Sequence, residues 1–351
     1  MRAIHRLILN VIFYLAYRYE KEKRLSNTKW KNGFLKTGLP LEYVTANALS
    51  EMGHTIFGEY PYNRPNENED LKEFSIDIRA HKCLDSNERL FVLDTLVECK
   101  YRQHGTTWIF SPYPTKDFVP IGLIHSTEDL VPVRLHGTSL WKFEESLGYC
   151  VSGVELMNNG GGNTDGTRHG VFQLRYGMPV LLKNLYESTI NHSFSSGRYI
   201  DFLCPILVTT AEIRVIKPNL QFENFLDASE LDEVSELKEA VILNERAGPQ
   251  LESFADFLAE EFISNSPELE SRLAALNEVL VGKEWEKRHA PDVDTIRHNF
   301  GQSTERVLIV NYKCFKTILL KLEKALMEDI ATEKVYAKIE DEKNEFSLVK
   351  H

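Results

Sequence analysis

The feature that most constrains this chain is an apolar, β-branched run that ends in charge. Residues 90–101 read Leu-Phe-Val-Leu-Asp-Thr-Leu-Val-Glu-Cys-Lys-Tyr, the composition of a buried strand. Such strands exclude charged side chains unless these are paired or functional. Side chains alternate across a strand, so Glu98 and Lys100 are expected on one face and Cys99 on the other. A second extended run, residues 74–82, has Ile76, Ile78 and Ala80 alternating with Ser75, Asp77 and Arg79. Asp77 thus also interrupts an apolar strand. The polar stretch at 81–89 reads as the connection between the two. If they pair as a hairpin, Asp77 stands beside Glu98 and three charges converge on one patch.

The surrounding pattern places these strands in an α/β frame. Thr37-Gly-Leu-Pro40 predicts a loop entering a helix, in which Leu41, Val44, Ala48, Leu49 and Met52 share a face until Gly53 ends it. Residues 54–62 are another extended run, and 106–135 carry several prolines and short β-like pieces. The stretch 158–166, Asn-Asn-Gly-Gly-Gly-Asn-Thr-Asp-Gly, is a loop; with no Gly-Lys-Ser/Thr after it, it is no phosphate-cradling P-loop. A helix over 168–187 follows, with Val171, Leu174, Leu181 and Leu185 on it and a kink at Pro179. Residues 199–215 read as one long buried central strand. Beyond Pro218 come an acidic, helix-prone stretch at 223–239, amphipathic helices at 251–262 and 267–280, a buried strand at 307–312 and a helix at 315–330. The order helix–strand–strand–strand–helix–strand argues for a mixed central sheet flanked by helices.

Two carboxylates side by side repel, and one pKa rises. A divalent cation removes that cost, and oxygen ligands are what Mg²⁺ takes. A lysine two residues on can orient a water or offset charge developing at phosphorus. Asp77, Glu98 and Lys100 therefore make a coherent metal-dependent hydrolase site, with an inter-strand salt bridge as the competing structural reading. Glu-x-Lys alone is uninformative: Glu236-Leu-Lys238 and Asp341-Glu-Lys343 also occur, in charge-rich segments that read as solvated faces. No Gly-x-Ser-x-Gly elbow and no His-Glu-x-x-His is present. His169 and His192 are isolated and read as structural or solvated. Trp108 and Phe110 alternate in a β-run, which places them in a core more readily than on a nucleobase.

On these residues the chain resembles the PD-(D/E)xK nuclease-like superfamily, in particular its restriction-endonuclease-like branch. The resemblance spans about residues 35–215 and rests on Glu42 in Gly38-Leu-Pro-Leu-Glu-Tyr43, Asp77 in Ser-Ile-Asp-Ile, and Glu98-Cys-Lys100. It implies a restriction-endonuclease-like mixed sheet flanked by helices, with a metal-dependent DNA endonuclease activity of the restriction, anti-phage defence or repair kind. It further implies that Asp77, Glu98 and the Cys99 carbonyl bind Mg²⁺ or Mn²⁺, that Glu42 completes the metal shell, and that Lys100 positions the attacking water. Ile76 stands where the motif name has proline, which leaves the aspartate's role intact. Glu42 also has a plain explanation, since a glutamate in a first helical turn is favoured by the helix dipole. Arg102 and His104, just past Lys100, are candidates for phosphate contact. Gln173 and Arg175, with Tyr176, are candidates on the later helix, although their spacing departs from the Gln-x-x-x-Tyr form of some relatives. A nuclease-like scaffold without activity, and the same chemistry on RNA, are the alternatives.

A net charge of −11 speaks against a polyanion partner, but the charge is uneven. Residues 1–219 hold 25 Lys+Arg against 24 Asp+Glu, and residues 220–351 hold 16 against 28. The expected division is an N-terminal amphipathic helix and linker (1–34), a nuclease-like domain (35–219) and an acidic, helix-rich C-terminal part (220–351). The strand near Val307 leaves open that this last part joins the main sheet. Its acidity suits a homodimer or protein-partner surface rather than DNA. The apolar segment at 7–17 is shorter than the ~20 residues of a membrane span, so a packed helix is expected and a membrane is not. Five scattered cysteines without CxxC spacing fit free thiols in a reducing, cytoplasmic setting.

Overall fold

After a helical stretch at 29–36, Pro40 in the first turn and Gly53 beyond the end delimit helix α1 (Leu39–Glu51), and Gly53 takes the left-handed φ of +86° that turns the chain into the first strand. The computed structural model of the chain describes residues 29–65, 71–85, 89–113, 122–131, 133–135, 137–192, 199–280, 291–331 and 334–335. Residues 1–28, with the expected N-terminal helix, lie outside these. Among the described residues no helix is long and apolar enough to cross a membrane.

The protein is a mixed α/β structure built on one large sheet. β1 (Thr55–Pro65), β2 (Leu71–Asp85) and β3 (Leu90–Lys100) run as an antiparallel meander. To them are added β4 (Thr107–Pro112), β7 (Tyr149–Leu156), β9 (Tyr199–Thr209), β10 (Glu212–Ile216), β11 (Ser235–Lys238), β12 (Ala240–Asn244) and β13 (Arg306–Asn311). The strand order is β1-β2-β3-β9-β13-β12-β7-β4-β10-β11. Two short strands pair at its margins, β5 (His125–Ser126) on β9 and β8 (Gly162–Asn163) on β7, while β6 (Val133–Arg134) and β14 (Lys334–Val335) pair separately.

Helices cover both faces, because the central strands are apolar on both. Against one face lie α3 (Asp165–His192), α6 (Pro249–Ser264), α7 (Leu269–Leu280) and α8 (Val293–Gln302), joined in one core with Leu96, Leu207, Val241 and Ile309. Against the other lie α1, α2 (Thr138–Leu147) and α9 (Phe315–Ile330), in a second core with Val97, Val208, Ile242 and Leu308. Neighbouring strand residues thus fall into opposite cores, as the two-residue period requires. Each such side chain contributes roughly 1.5–3 kcal/mol by burial.

Two expectations change. The single strand expected over 199–215 is two, β9 and β10, which separate at Thr210–Ala211 and take distant places in the sheet: β9 beside β3, β10 beside β4. The acidic stretch at 223–239 is only partly helical, in α4 (Phe222–Asp227) and α5 (Leu231–Val234), and then enters β11. The C-terminal part supplies β11, β12 and β13, and β13 lies in the middle of the sheet between β9 and β12. Local propensity favoured helix over 223–239, but pairing with β10 decides the outcome at its end.

Candidate active site

Asp77 sits in a β-bulge. Between the pairs Tyr60↔Ile76 and Gly58↔Arg79, β1 advances two residues while β2 advances three. The extra residue rotates the strand, so Ile76 joins the core under α3 while Ile78 and Ala80 join the core under α1. The uniform alternation read from the sequence is therefore broken at Asp77, which is how a bulge re-aims a side chain. The β2–β3 ladder ends at Ile78↔Val97. Just past this end, Asp77 Oδ2 accepts a hydrogen bond of 2.7 Å from the Cys99 amide. The carboxylate thus satisfies a main-chain donor at the point where regular pairing stops.

Glu98 and Lys100 share the face that carries Leu96, under α3, and Cys99 packs in the opposite core. Glu98 is fully buried. Its Oε1 pairs with Lys100 Nζ, whereas its Oε2 is buried without a hydrogen-bond partner. Lys100 Nζ also donates to Gln173 Oε1 at 3.0 Å, and Gln173 Nε2 donates to the Ser75 carbonyl at 3.1 Å. Gln173 thereby ties the lysine to β2. Gly170 makes room for this: a Cβ there would lie 3.0 Å from Lys100 Cε and 2.8 Å from Leu207 Cδ1.

Burial, reinforced by the Asp77 charge, pushes the Glu98 carboxyl up to about 7 despite the opposing pull of Lys100. Asp77 is raised as well, again chiefly by burial, with the Cys99 amide and Lys100 acting the other way. Glu42, in the first turn of α1, is raised by burial and by Asp77. Burial drives the Cys99 thiol well up, so its side chain is an inert core group and only its main chain faces the question of ligation.

Asp77, Glu98, Lys100, Glu42 and Gln173 are thus brought together. Arg175, two residues past Gln173, points elsewhere. It is buried, with its guanidinium donating to the Thr304 carbonyl and, at 2.8 Å, to the Glu245 carbonyl. It fastens the C-terminal part to α3 and is closed to nucleic acid. Arg102 is engaged by Glu155 and by the Gly166 carbonyl at 2.6 Å. His104 is exposed on the adjoining loop. Trp108 and Phe110 are fully buried core residues, and Tyr176 packs at the margin of the α3 core.

Two residues of the site escaped the sequence reading. Glu59 stands on β1 opposite the bulge, between Gly58 and Tyr60, and its charge acts on both Asp77 and Glu42. Gly58, with φ of +82°, is the local signal that the strand is irregular there. His169, read as structural or solvated, lies within hydrogen-bonding reach of Gln173; burial, reinforced by the Lys100 and Arg64 charges, depresses its pKa. Its spacing of one helical turn from Gln173 was the available signal.

Among the described residues, no three His, Cys, Asp or Glu side chains gather into a metal cage. A Mg²⁺ ion needs none, since it is commonly held by one or two carboxylates while keeping several waters. The donors fit that mode: an unpartnered buried oxygen on Glu98, next to a second carboxylate, with Glu42 and Glu59 nearby. No protein-family model, no curated protein and no solved structure matches the chain.

Proposed function

We propose that the chain is a divalent-metal-dependent nuclease of the PD-(D/E)xK superfamily, with a restriction-endonuclease-like core formed by α1, β1–β3, α3 and β9, hydrolysing phosphodiester bonds in DNA. The observation that carries this reading is the pairing of a buried carboxylate, Glu98, with a half-buried one, Asp77, both with raised pKa values, beside an ammonium that two side-chain acceptors hold in place. A purely structural ion pair needs one carboxylate per lysine. The second carboxylate and the unpartnered Glu98 Oε2 are a standing electrostatic cost that a bound cation offsets.

Mg²⁺ or Mn²⁺, when bound, would supply Lewis-acid stabilisation at the scissile phosphate. Asp77, Glu98 and the Cys99 carbonyl would hold it, with Glu42 as a further carboxylate of the set. Lys100, fixed by Gln173, orients the attacking water and offsets charge on the phosphoryl oxygens. The test is Mg²⁺-dependent cleavage of plasmid DNA. Loss of cleavage in both Asp77→Ala and Lys100→Ala is expected; cleavage retained in either removes the assignment. The rival reading, an inactive nuclease-like scaffold, is favoured by the closed Lys100–Glu98 pair. It would be supported by calorimetry that finds no Mg²⁺ or Mn²⁺ uptake dependent on Glu98.

A further inference from the structure

Beside Gln173 a cavity of about 570 Å³ opens between the end of β1, the outer face of α3 and the turn at 248–251 that starts α6. Its lining includes Arg64, Phe74, His169, Phe172, Gln173 and Tyr176. The last four recur at helical spacing on α3, so one face of that helix forms both the cavity wall and the support of Lys100.

Three properties of this cavity point to one kind of occupant. First, among the described residues its lining contains no Asp or Glu, in a chain that has 52 of them. Second, the Arg64 guanidinium is held between two rings, 4.0 Å from the Phe74 centroid and 4.2 Å from that of Tyr176. Among the described residues it has no carboxylate or carbonyl partner, and its Nε is buried unpaired. Clamping between aromatic faces costs an arginine nothing in charge and leaves its N–H edge available to a bidentate anion. Third, Phe172 is 39% exposed on the same wall, a large ring left facing the cavity.

We infer that this cavity is a nucleotide subsite next to the scissile bond, in which Arg64 takes a backbone phosphate and Phe172 stacks on an unpaired base. The inference rests on the nuclease reading above and deepens it: the substrate is a single strand or a locally unpaired stretch. A base inside a duplex is already stacked and reaches a concave pocket only by flipping, at a cost a single strand does not bear. The C-terminal part meets the strand through the uncharged 248–251 turn, so its acidity does not oppose binding there.

The experiment measures binding by fluorescence anisotropy in EDTA, so that nothing is cut, with a labelled single-stranded oligonucleotide and a blunt duplex of equal length. The full chain is compared with Arg64→Gln, Arg64→Lys and Phe172→Ala, each first shown to melt like the parent. The single strand should bind at least about tenfold tighter than the duplex. Arg64→Gln should weaken it about tenfold and reduce the slope of log K against log salt by about 0.7, the single-strand value for one phosphate. Phe172→Ala should weaken it about tenfold with the slope unchanged, and Arg64→Lys should keep the slope while losing affinity. Equal affinity for the duplex, or indifference to Arg64→Gln, overturns the subsite. Cleavage in Mg²⁺, run alongside with Lys100→Ala as control, separates the two claims. If cleavage depends on Lys100 while the cavity variants bind normally, the subsite alone falls. Binding through Arg64 and Phe172 without any cleavage upholds the subsite and removes the nuclease.

Discussion

Replacing Glu98 by glutamine should make the metal-free protein more stable at neutral pH, although it removes a residue proposed for catalysis. In the folded state the carboxyl is raised from an ordinary 4.5 to about 7. The folded protein therefore binds this proton more tightly than the unfolded chain does. Below pH 4.5 both forms are protonated and nothing is lost. As pH rises from 4.5 to 7 the unfolded chain ionises first, and stability falls; above 7 the loss levels off. At 1.36 kcal/mol per pKa unit, the penalty is about 1 kcal/mol at pH 5.5 and about 3 kcal/mol at pH 8.

Glutamine mimics the protonated acid at every pH, and its carbonyl can still accept from Lys100. The difference in unfolding free energy between Glu98→Gln and the parent should thus grow by about 2 kcal/mol from pH 5.5 to pH 8. Guanidinium denaturation in EDTA measures it, with equal m-values required of both proteins. Millimolar Mg²⁺ should stabilise the parent and not the variant, through linkage to binding. A variant that is less stable than the parent at pH 8, or a difference that does not change with pH, would refute the reasoning. Either result would mean that the Lys100 ion pair outweighs the desolvation of the carboxylate.

Asp77 should separate structure from charge. Asp77→Asn keeps an oxygen for the Cys99 amide and should melt within about 1 kcal/mol of the parent, whereas Asp77→Ala leaves a buried donor unpaired at about 1–3 kcal/mol; both should abolish Mg²⁺-dependent cleavage in a plasmid assay. Gly170→Ala tests the seat of Lys100. The added methyl meets Leu207 and the lysine stem, so a loss of about 1–3 kcal/mol in chemical denaturation and a roughly 10–100-fold fall in cleavage rate are expected. A Gly170→Ala protein with normal kcat would mean that Lys100 need not lie where α3 holds it.

Much of the architecture was legible because it rests on local signals. Pro40 and Gly53 bracket α1, and the apolar run at 90–101 is β3 almost to the residue. The convergence of Asp77 with Glu98 was legible from one assumption, that adjacent strands pair. What was hidden depends on non-local geometry. The bulge at Asp77 follows from β1 and β2 advancing unequally, which no periodicity in β2 alone reveals. Arg175 looks like any basic residue on an amphipathic helix; only the arrival of Glu245 and Thr304 from distant segments makes it a buried clamp. Thr210–Ala211, where β9 gives way to β10, lacks Gly or Pro to mark the break. Conversely, the Arg64 sandwich needs Phe74 from β2 and Tyr176 from α3 at once.

The acidic third invites treatment as a detachable regulator, and the sheet argues against it. A chain ending at Pro218 loses β13, which pairs in parallel with β9 through Leu308↔Ile206, Ile309↔Leu207 and Val310↔Val208. It also loses β12, the bridge from β13 to β7, so the sheet is cut through its middle. β9 would then present an unpaired edge at Ile206–Thr209, mostly apolar, the geometry that templates aggregation. On its faces the removal of Phe262, Phe300, Leu319 and Leu322 uncovers both cores. At roughly 1.5–3 kcal/mol for each buried side chain, these four alone rival the whole stability of a typical domain, about 5–15 kcal/mol. Residues 1–218 expressed alone should therefore be insoluble, or bind a hydrophobic dye and lack near-ultraviolet circular dichroism. A soluble, folded fragment that cuts DNA faster than the full chain would overturn this and make the C-terminal part an inhibitor. The inward faces of β12, β13 and the C-terminal helices thus complete both hydrophobic cores of the sheet.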